Sequence, residues 1–393
     1  SNEEAYIFQK LIRTGFKTNN VDHCTRLCHA SSVAALLQSV GSAAVSAPFT
    51  AVKDSECIIL IGARPEQNHP VAASYFKQAV KNGTKLIILD PRRQSLSKYA
   101  THHLQFNPGQ DLALLNAMIF TIINENLTNK EYIENHTEGF KQLEKEIKKF
   151  NPVLMEKLCG IPKEIIREVA RIYAKAKTSI IFWGMGISQH VHGTQNAFSL
   201  INLALITGHL GKPGTGLHPL RGQNNVQGAS DAGLIPMSYP DYNSVKIKTN
   251  NEKMEKFWNS NLDLNEGKTV VEIIKDIDAG LIKGLYVQGE NPAMSDPDLI
   301  HTRKGLAKLD HLVVQDIFMT ETAWFADVIL PASAHAEKLG TYTNTNRQVQ
   351  IGRDVVDPPK GVKQDWWIIQ EIAKRIGLDW NYTSPKEIFD EMK

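Results

Sequence analysis

The stretch Cys57-Ile58-Ile59-Leu60-Ile61-Gly62 is a short, uninterrupted apolar run that ends in glycine. A run of this length beside residues that favour turns is typical of a strand buried on both faces of a parallel sheet. Five further runs share the pattern and end near Gly, Asp or Pro: 86–89, 179–183, 285–287, 312–314 and 328–330. The sequence therefore predicts several buried parallel strands.

Helix-period segments lie between these apolar runs, at 71–82, 111–125 and 163–176. Alternating strands and helices predict α/β layers around parallel sheets. Because the runs fall into two groups, we predict two Rossmann-like three-layer domains with mainly parallel sheets, at 24–223 and 224–335. Residues 336–393 are predicted to form part of a further small domain.

The composition describes a globular protein, with 42% hydrophobic and 22% charged residues among 393. A formal net charge of +2 gives no reason to expect a nucleic-acid partner. No apolar run approaches the roughly 18 residues that a membrane span requires. We therefore predict a protein that has no membrane span, binds no nucleic acid and is cytoplasmic.

Cysteine is scarce, since only Cys24, Cys28, Cys57 and Cys159 are present, and none forms a C-x-x-C pair. This spacing argues against a disulfide framework and a structural zinc site. It also argues against a four-cysteine iron–sulfur site on this chain.

Three side chains carry the chemistry that the sequence suggests. The Cys28 thiolate is a soft donor for a metal, and metal binding would deprotonate it. His29, with an ordinary pKa near neutrality, is a candidate proton acceptor or electrostatic partner. Arg221 offers a planar fork that matches both oxygens of a small carboxylate. Each residue alone has a structural alternative: a buried cysteine, a histidine at a helix start and an exposed arginine in a turn.

Two glycine-containing segments directly follow apolar runs: Gly62-Ala63-Arg64-Pro65 and Gly184-Met185-Gly186-Ile187-Ser188-Gln189. Exposed backbone at the carboxyl ends of parallel strands can approach a phosphate. The full G-x-G-x-x-G pattern would need glycine where Gln189 stands, and no acidic residue occurs near 206 to receive a ribose. A conventional NAD site is therefore not expected.

The stretches Thr25-Arg26-Leu27-Cys28-His29-Ala30-Ser31-Ser32-Val33 and His218-Pro219-Leu220-Arg221-Gly222-Gln223-Asn224-Asn225-Val226-Gln227-Gly228 carry a family resemblance. They resemble the catalytic subunit of molybdenum- or tungsten-dependent formate dehydrogenases, within the molybdopterin oxidoreductase family. The resemblance runs from about residue 3 to the C-terminus. It implies that Cys28 ligates the metal, that Arg221 binds formate, and that formate is oxidised to carbon dioxide with two electrons released. His29 distinguishes this group from related nitrate reductases, which lack a histidine beside the cysteine.

The resemblance also implies a cofactor, bis(molybdopterin guanine dinucleotide) with Mo or W. The residues that match cofactor-facing positions of the family are Gly62, Arg64, Asp90, Arg92, Asp111, Gly184, Met185, Gly186, Gln189, Gln223, Gly289, Glu290, Asn291, Asp316, Thr320, Asn346 and Asp365. Those before 223 would form one guanine-dinucleotide half-site, and most of the others would form the second. Asp111 has an equally plausible role as a helix N-cap. Many family members have glutamate where Asn346 stands, which weakens that assignment.

The remaining implications concern the surroundings of the chain. Residues 1–23 would pack with the second α/β domain, and a 4Fe-4S cluster would sit on a segment upstream. The chain would thus be a central fragment, inactive in isolation, whose whole enzyme passes electrons to an electron-transfer subunit or iron–sulfur protein. Two alternatives stay open: a nitrate reductase-type molybdopterin oxidoreductase, and a non-catalytic cofactor-binding paralogue.

Overall fold

The computed structural model describes residues 1–393 and divides them into two compact units. The first unit comprises 28–222 and 345–347, and the second comprises 1–27, 223–344 and 348–393. The sequence-based division starts the first domain at 24 and sets 336–393 apart. The structure instead starts the first unit at Cys28 and groups most of 336–393 with the second unit.

A five-stranded parallel sheet forms the centre of the first unit. Its strands are β1 (Cys57–Ile61), β2 (Lys85–Leu89), β3 (His102–Leu104), β4 (Ser179–Trp183) and β5 (Gly216–Pro219), in the order β3-β2-β1-β4-β5. Ile61 lies in register with both Leu89 and Trp183, so the carboxyl ends of β1, β2 and β4 are level. The strand order reverses direction between β1 and β4. In open α/β sheets that reversal opens a crevice where ligands bind.

Helices cover both faces of this sheet. The chain begins with α1 (Asn2–Thr14), a helix of the second unit. In chain order, the helices between α1 and β5 are α2 (Thr25–Cys28), α3 (Ala30–Val40), α4 (Pro65–Asn68), α5 (Pro70–Lys81), α6 (Asp111–Asn124), α7 (Lys130–His136), α8 (Phe140–Glu146), α9 (Pro152–Cys159), α10 (Lys163–Lys175), α11 (Met185–Ser188) and α12 (Gly193–Thr207).

Alternate residues of β1 face opposite layers, as the two-residue period of a strand requires. Ile59 and Ile61 belong to the core that includes α6, α10 and α12, whereas Ile58 and Leu60 join Phe76 of α5 on the other face. All these side chains are fully buried. The α/β prediction is therefore confirmed, with three layers in this unit.

The second unit contains a smaller parallel sheet and a hairpin. Its parallel strands are β6 (Gly284–Gln288), β7 (His311–Asp316) and β8 (Val328–Pro331), and the antiparallel hairpin is β9 (Gly340–Thr343) with β10 (Val349–Gly352). Its further helices are α13 (Val226–Asp231), α14 (Lys248–Trp258), α15 (Val270–Asp278), α16 (Pro292–Ser295), α17 (Leu299–Leu306), α18 (Asp365–Arg375) and α19 (Pro385–Met392). No helix of either unit combines the length and the apolar character needed to cross a membrane.

Helix α1 is held inside the second unit by apolar packing and by one buried arginine. Its Ile7 and Leu11 share a core with Ile369 of α18. The Arg13 guanidinium, 1% exposed, donates hydrogen bonds to the carbonyl oxygens of Gly233, Ile235 and Ser238, to the Asn19 side chain and to the Gln9 side chain. A buried guanidinium is tolerated only when its donors are satisfied. These contacts explain why residues 1–27 belong to the same unit as 223–344 and 348–393.

Gly62 and Gly186 let the loops after β1 and β4 cross in close contact. The N–H of Gly186 donates to the carbonyl of Gly62 at 3.1 Å, and Gly62 has a φ of 58°. A Cβ atom on Gly62 would lie 2.8 Å from the carbonyl carbon of Gly186. Any side chain at Gly62 would therefore meet both a disfavoured backbone conformation and a clash with backbone.

We expect Gly62→Ala to lower the free energy of unfolding by about 2–4 kcal/mol, since strain and overpacking add. Urea unfolding followed by circular dichroism measures this. Gly222→Ala is the matched control, because nothing lies within 4 Å of its Cβ position, and it should change stability by less than about 0.5 kcal/mol. Equal stability of the two variants would contradict the close approach.

Candidate active site

The turn between α2 and α3 presents Cys28 and His29. Cys28 is the last residue of α2, and His29 occupies the N-cap position of α3. The Cys28 carbonyl accepts a hydrogen bond of 2.6 Å from the hydroxyl of Ser188, which ends α11. Since α11 follows β4 after a single residue, this bond ties the cysteine turn to the carboxyl edge of the sheet. Both Cys28, at 6% exposure, and His29, at 0%, are buried.

The hydrogen bonds of His29 fix its tautomer. Its Nε2 lies 3.1 Å from the carbonyl oxygen of Leu220, which can only accept, so Nε2 carries the proton. Its Nδ1 lies 3.2 Å from the hydroxyl of Ser32 and accepts from it, while that hydroxyl accepts from Trp183 Nε1 at 2.8 Å. Both ring nitrogens are therefore engaged, and a neutral imidazole satisfies both bonds.

Burial, and then the positive charge of Arg221, lower the pKa of His29 to about 3, against the opposing effect of the hydrogen bond to Leu220. This corrects the sequence-based assumption of a pKa near neutrality. In the absence of a bound anion, the site holds a neutral imidazole beside a guanidinium, which favours the binding of negative charge.

Arg221 follows β5, and the residue is only 2% exposed. Hydrogen bonds hold both its backbone and its side chain. Its backbone N–H donates to the Thr345 hydroxyl at 3.1 Å, and its carbonyl accepts from His69 Nε2 at 2.5 Å. Its Nη2 donates to the carbonyl of Ala43 at 2.9 Å. The structure thus brings Arg221 and His29 together in the first unit, with Cys28 adjacent in sequence.

The loops after β1 and β2 gather further predicted residues at the same sheet edge. Asp90 directly follows β2, and its carboxylate accepts from the backbone N–H of Arg92 at 2.8 Å and from Gln94 Nε2 at 3.2 Å. Burial raises the pKa of Asp90, while the Arg92 N–H and the charges of His103 and Arg64 oppose that rise. Gly62, Gly184 and Gly186 form the adjoining backbone crossing.

Four buried polar atoms in these loops have no hydrogen-bond partner within the protein: Arg64 Nε, Glu66 Oε2, His69 Nδ1 and Gln94 Oε1. Each unsatisfied buried group costs about 1–3 kcal/mol, so natural proteins keep few of them without a reason. Donors and acceptors grouped beside a glycine crossing fit a ligand rich in phosphate, hydroxyl and amide groups. Sequence reasoning missed Glu66, His69 and Gln94, although their position just after predicted strands was an available signal.

The other predicted residues of the first unit have varied settings. Asp111 is buried at the first position of α6 rather than at its N-cap, which is Gln110, and burial raises the pKa of Asp111. Met185 is 39% exposed at the start of α11, and Gln189 occupies the C-cap position of that helix. Asn346 belongs to the first unit, where its side-chain Oδ1 accepts from the Phe49 N–H at 2.9 Å.

In the second unit, Asn291 joins the loops that follow β6 and β7. Its side-chain oxygen accepts from both the N–H and the hydroxyl of Thr322. Asp316 accepts from two backbone N–H groups, those of Ile317 and Phe318, and the Thr320 hydroxyl accepts from the Ala323 N–H at 3.3 Å. Gly289 donates its N–H to the carbonyl of Gln315. These predicted residues therefore lie in two loops at one edge of the second sheet.

A cavity of about 990 Å³ lies within the second unit, and its lining includes Gln223, Gly289, Glu290 and Asp365. Asp365 is not free to serve a ligand, because its carboxylate accepts from Gln288 and Gln315 and pairs with Lys338. Burial lowers the pKa of Lys338, but the carboxylates of Glu4 and Asp365 together raise it above its ordinary value. Asp365 thus belongs to a buried network with Lys338 and Gln315 beside this cavity, and its predicted contact with the cofactor stays a prediction.

Glu290 is the predicted residue whose titration should affect stability most. Burial, and then the charges of Asp296 and Asp316, raise its pKa to about 7 from an ordinary value of 4.5. A carboxyl group whose pKa is higher in the folded protein than in the unfolded one contributes its full stability below the unfolded pKa. That contribution is lost as the pH rises through the folded pKa. The free energy of unfolding should therefore fall as the pH rises from 4.5 to about 7.

We expect Glu290→Gln to stabilise the protein by about 1–3 kcal/mol at pH 8 and to change little at pH 4.5. Thermal unfolding at the two pH values measures the difference. Glu321→Gln is a control, because Glu321 is exposed and Asn291 lowers its pKa, so that variant should not gain stability as the pH rises. A gain from Glu290→Gln that is the same at both pH values would contradict the raised pKa.

The fold and the site together define the class of protein. Residues 1–375 match the family model described as molybdopterin oxidoreductase, and the chain belongs to that family. It is 46% identical over 395 residues to the F420-dependent formate dehydrogenase subunit alpha of Methanocaldococcus jannaschii, with all of this chain and 58% of the relative covered. It is 40% identical over 393 residues to formate dehydrogenase H of Escherichia coli, again with all of this chain and 55% of the relative covered.

The chain thus spans little more than half the length of these curated relatives. Among solved structures, acetylene hydratase from Pelobacter acetylenicus shares the fold with a TM-score of 0.78 at 23% sequence identity. That alignment covers 98% of this chain and 55% of the hydratase.

Proposed function

We propose that the chain is the catalytic core of a formate dehydrogenase, which oxidises formate to carbon dioxide with release of two electrons and one proton. The observation that carries the proposal is the burial of Arg221 and His29 in one unit, where His29 bonds the carbonyl of Leu220, the residue before Arg221, and directly follows Cys28. The relatives named formate dehydrogenases, which align with the whole chain, support it.

Family membership implies a molybdopterin-type cofactor with molybdenum or tungsten. We propose the guanine dinucleotide form, two copies per metal. When bound, this metal–pterin group supplies the redox chemistry by accepting the two electrons of formate. The crossing glycines and the unsatisfied atoms of Arg64, Glu66 and Gln94 would hold one copy, and the Cys28 thiolate would bind the metal.

The polypeptide's own part in the reaction is to bind and orient the anion. The Arg221 guanidinium would take formate's two oxygens as a fork and so point the C–H bond in one direction. Burial of Arg221 and His29 excludes water, which strengthens their interaction with the anion. Only Nδ1 of His29 can take up a proton, and Ser32 would then reverse its hydrogen bond to accept from it.

We further propose that the whole enzyme carries a 4Fe-4S cluster outside this chain and passes electrons to an electron-transfer subunit or iron–sulfur protein. The four cysteines here offer no clustered site, since Cys57 and Cys159 are buried in the apolar core of the first unit. Burial raises the pKa of both thiols, which disfavours the thiolate that an iron–sulfur cluster needs.

Cofactor analysis of the purified, loaded enzyme that contains this chain tests the cofactor assignment. Mild acid hydrolysis cleaves the pyrophosphate of a guanine dinucleotide, so we expect about two guanosine monophosphates for each atom of molybdenum or tungsten. Metal with no nucleotide would contradict the guanine form. Protein that carries both metal and guanine nucleotide but oxidises no formate would instead favour the non-catalytic cofactor-binding paralogue.

A further inference from the structure

We propose that His69 is a positioning residue for Arg221, which holds the arginine's backbone where its guanidinium can meet formate. The proposal rests on the formate dehydrogenase function argued above and adds a residue to it. His69 lies more than 150 positions from Arg221 in sequence, and their contact comes from the fold alone.

The contact is a hydrogen bond of 2.5 Å between His69 Nε2 and the carbonyl oxygen of Arg221. Because a carbonyl oxygen only accepts, Nε2 carries the proton and Nδ1 carries the lone pair. Nδ1 is buried and has no partner within the protein. The imidazole is therefore committed to Arg221 through the single N–H that its neutral form possesses.

Helix capping does not explain the imidazole's placement. His69 occupies the N-cap position of α5, just before Pro70, yet its side chain makes no hydrogen bond to the first turn of that helix. Its N–H is directed to Arg221 instead. Pro70 restricts the backbone of the residue before it, so the ring stands on a stiff segment. A stiff donor is what a positioning residue requires.

A second support acts on the other side of the Arg221 residue. The Arg221 N–H donates to the Thr345 hydroxyl, and that hydroxyl donates to His218 Nε2 at 3.2 Å. His218 Nδ1 in turn donates to the Ala47 carbonyl at 2.8 Å, which fixes the direction of the whole chain of bonds. Thr345 and His69 together therefore hold the N–H and the C=O of Arg221. Loss of the His69 hydrogen bond would let the Arg221 carbonyl group rotate.

The test compares His69→Gln with His69→Leu in the loaded enzyme. Glutamine and leucine have similar volumes, but only glutamine offers an N–H near the place of Nε2. Loss of a buried hydrogen bond should raise KM for formate about 10-fold in the leucine variant, with a smaller change in kcat. The glutamine variant should stay within about 3-fold of the parent in both constants.

A second readout does not depend on turnover. Phenylglyoxal modifies accessible guanidiniums, and peptide mapping by mass spectrometry reports the rate at Arg221, which is nearly buried in the parent. We expect this rate to rise several-fold in the leucine variant and to stay near the parent value in the glutamine variant. Equal KM values and equal labelling rates in both variants would overturn the proposal.

The two readouts separate this proposal from the function on which it rests. If the parent enzyme is fully loaded and oxidises no formate, the proposed function fails, while the labelling contrast still tests His69. Should the leucine variant not fold, His69→Asn replaces it, because asparagine places its amide near Nδ1 and cannot reach the Arg221 carbonyl. Parent-like KM and labelling in His69→Asn would likewise overturn the role.

Discussion

Replacing Arg221 with lysine is expected to lower kcat/KM for formate about 10- to 100-fold, with the metal content unchanged. Lysine keeps the charge but replaces a planar fork by a single ammonium, so one of two charge-assisted hydrogen bonds to the anion is lost. Such a bond is worth roughly 1.5–3 kcal/mol, and each 1.4 kcal/mol is a factor of ten in rate. The variant also loses the Nη2 bond to the Ala43 carbonyl that orients the parent side chain.

Arg171→Lys provides the matched control for that experiment. Arg171 is an exposed arginine of the first unit that forms a two-point ion pair with Glu125. The same substitution there should leave formate oxidation within about 2-fold, since exposed ion pairs contribute little. Full activity of Arg221→Lys, with normal metal loading, would show that another group holds formate.

Cys28→Ser should have the largest effect of any single substitution, an activity loss of at least about 1000-fold, which corresponds to roughly 4 kcal/mol of barrier. A hydroxyl is a hard donor that stays protonated at neutral pH, so it is a poor replacement for a thiolate on a sulfur-rich metal. The Ser188 bond is made to the Cys28 backbone and should survive, so the turn itself should be kept. Metal content and formate turnover are measured on the same preparation.

Cys24→Ser is the control for this change, four residues earlier on the same short segment. We assign Cys24 no role at the metal, so its variant should retain activity within about 3-fold. Parent-like turnover of Cys28→Ser with a full complement of metal would remove Cys28 from the proposed site.

The layered architecture followed from local sequence pattern because buried parallel strands need unbroken apolar runs. The run at Cys57–Ile61 is completely buried, and Gly62 follows it at the carboxyl edge of the sheet, as the glycine motif suggested. Strand β3 was missed, since His102, His103 and Leu104 are too few and too polar to show the pattern. The parallel arrangement was predictable from the alternation of strands and helices.

The assembly of distant segments was not predictable from pattern. In the sequence, Arg13 looks like any other residue of a helix. Only the fold places the carbonyl groups of Gly233, Ile235 and Ser238 around its guanidinium. His69 likewise gives no local signal, because its partner Arg221 belongs to a different strand end. Contacts of this kind depend on how strands order within a sheet, which short-range periodicity does not encode.

Site chemistry was predictable in part. Residue type and motif pointed to Cys28, His29 and Arg221, and the structure buries His29 and Arg221 in one unit, with His29 bonded to the carbonyl of Leu220, the residue before Arg221. The pKa of His29 was not predictable, since it depends on complete burial and on the neighbouring guanidinium. The structural use of Asp365 was also hidden, because Lys338 and Gln315 reach it through the tertiary fold.

The most direct test of the account supplies 13C-labelled formate to the loaded enzyme that contains this chain, with an artificial electron acceptor. We predict labelled carbon dioxide in a one-to-one ratio with two-electron reduction of the acceptor, and loss of this product in Cys28→Ser. Nitrate offered with a reduced dye should not be consumed. A fully metal-loaded enzyme that reduces nitrate and releases no labelled carbon dioxide would contradict the proposed reaction.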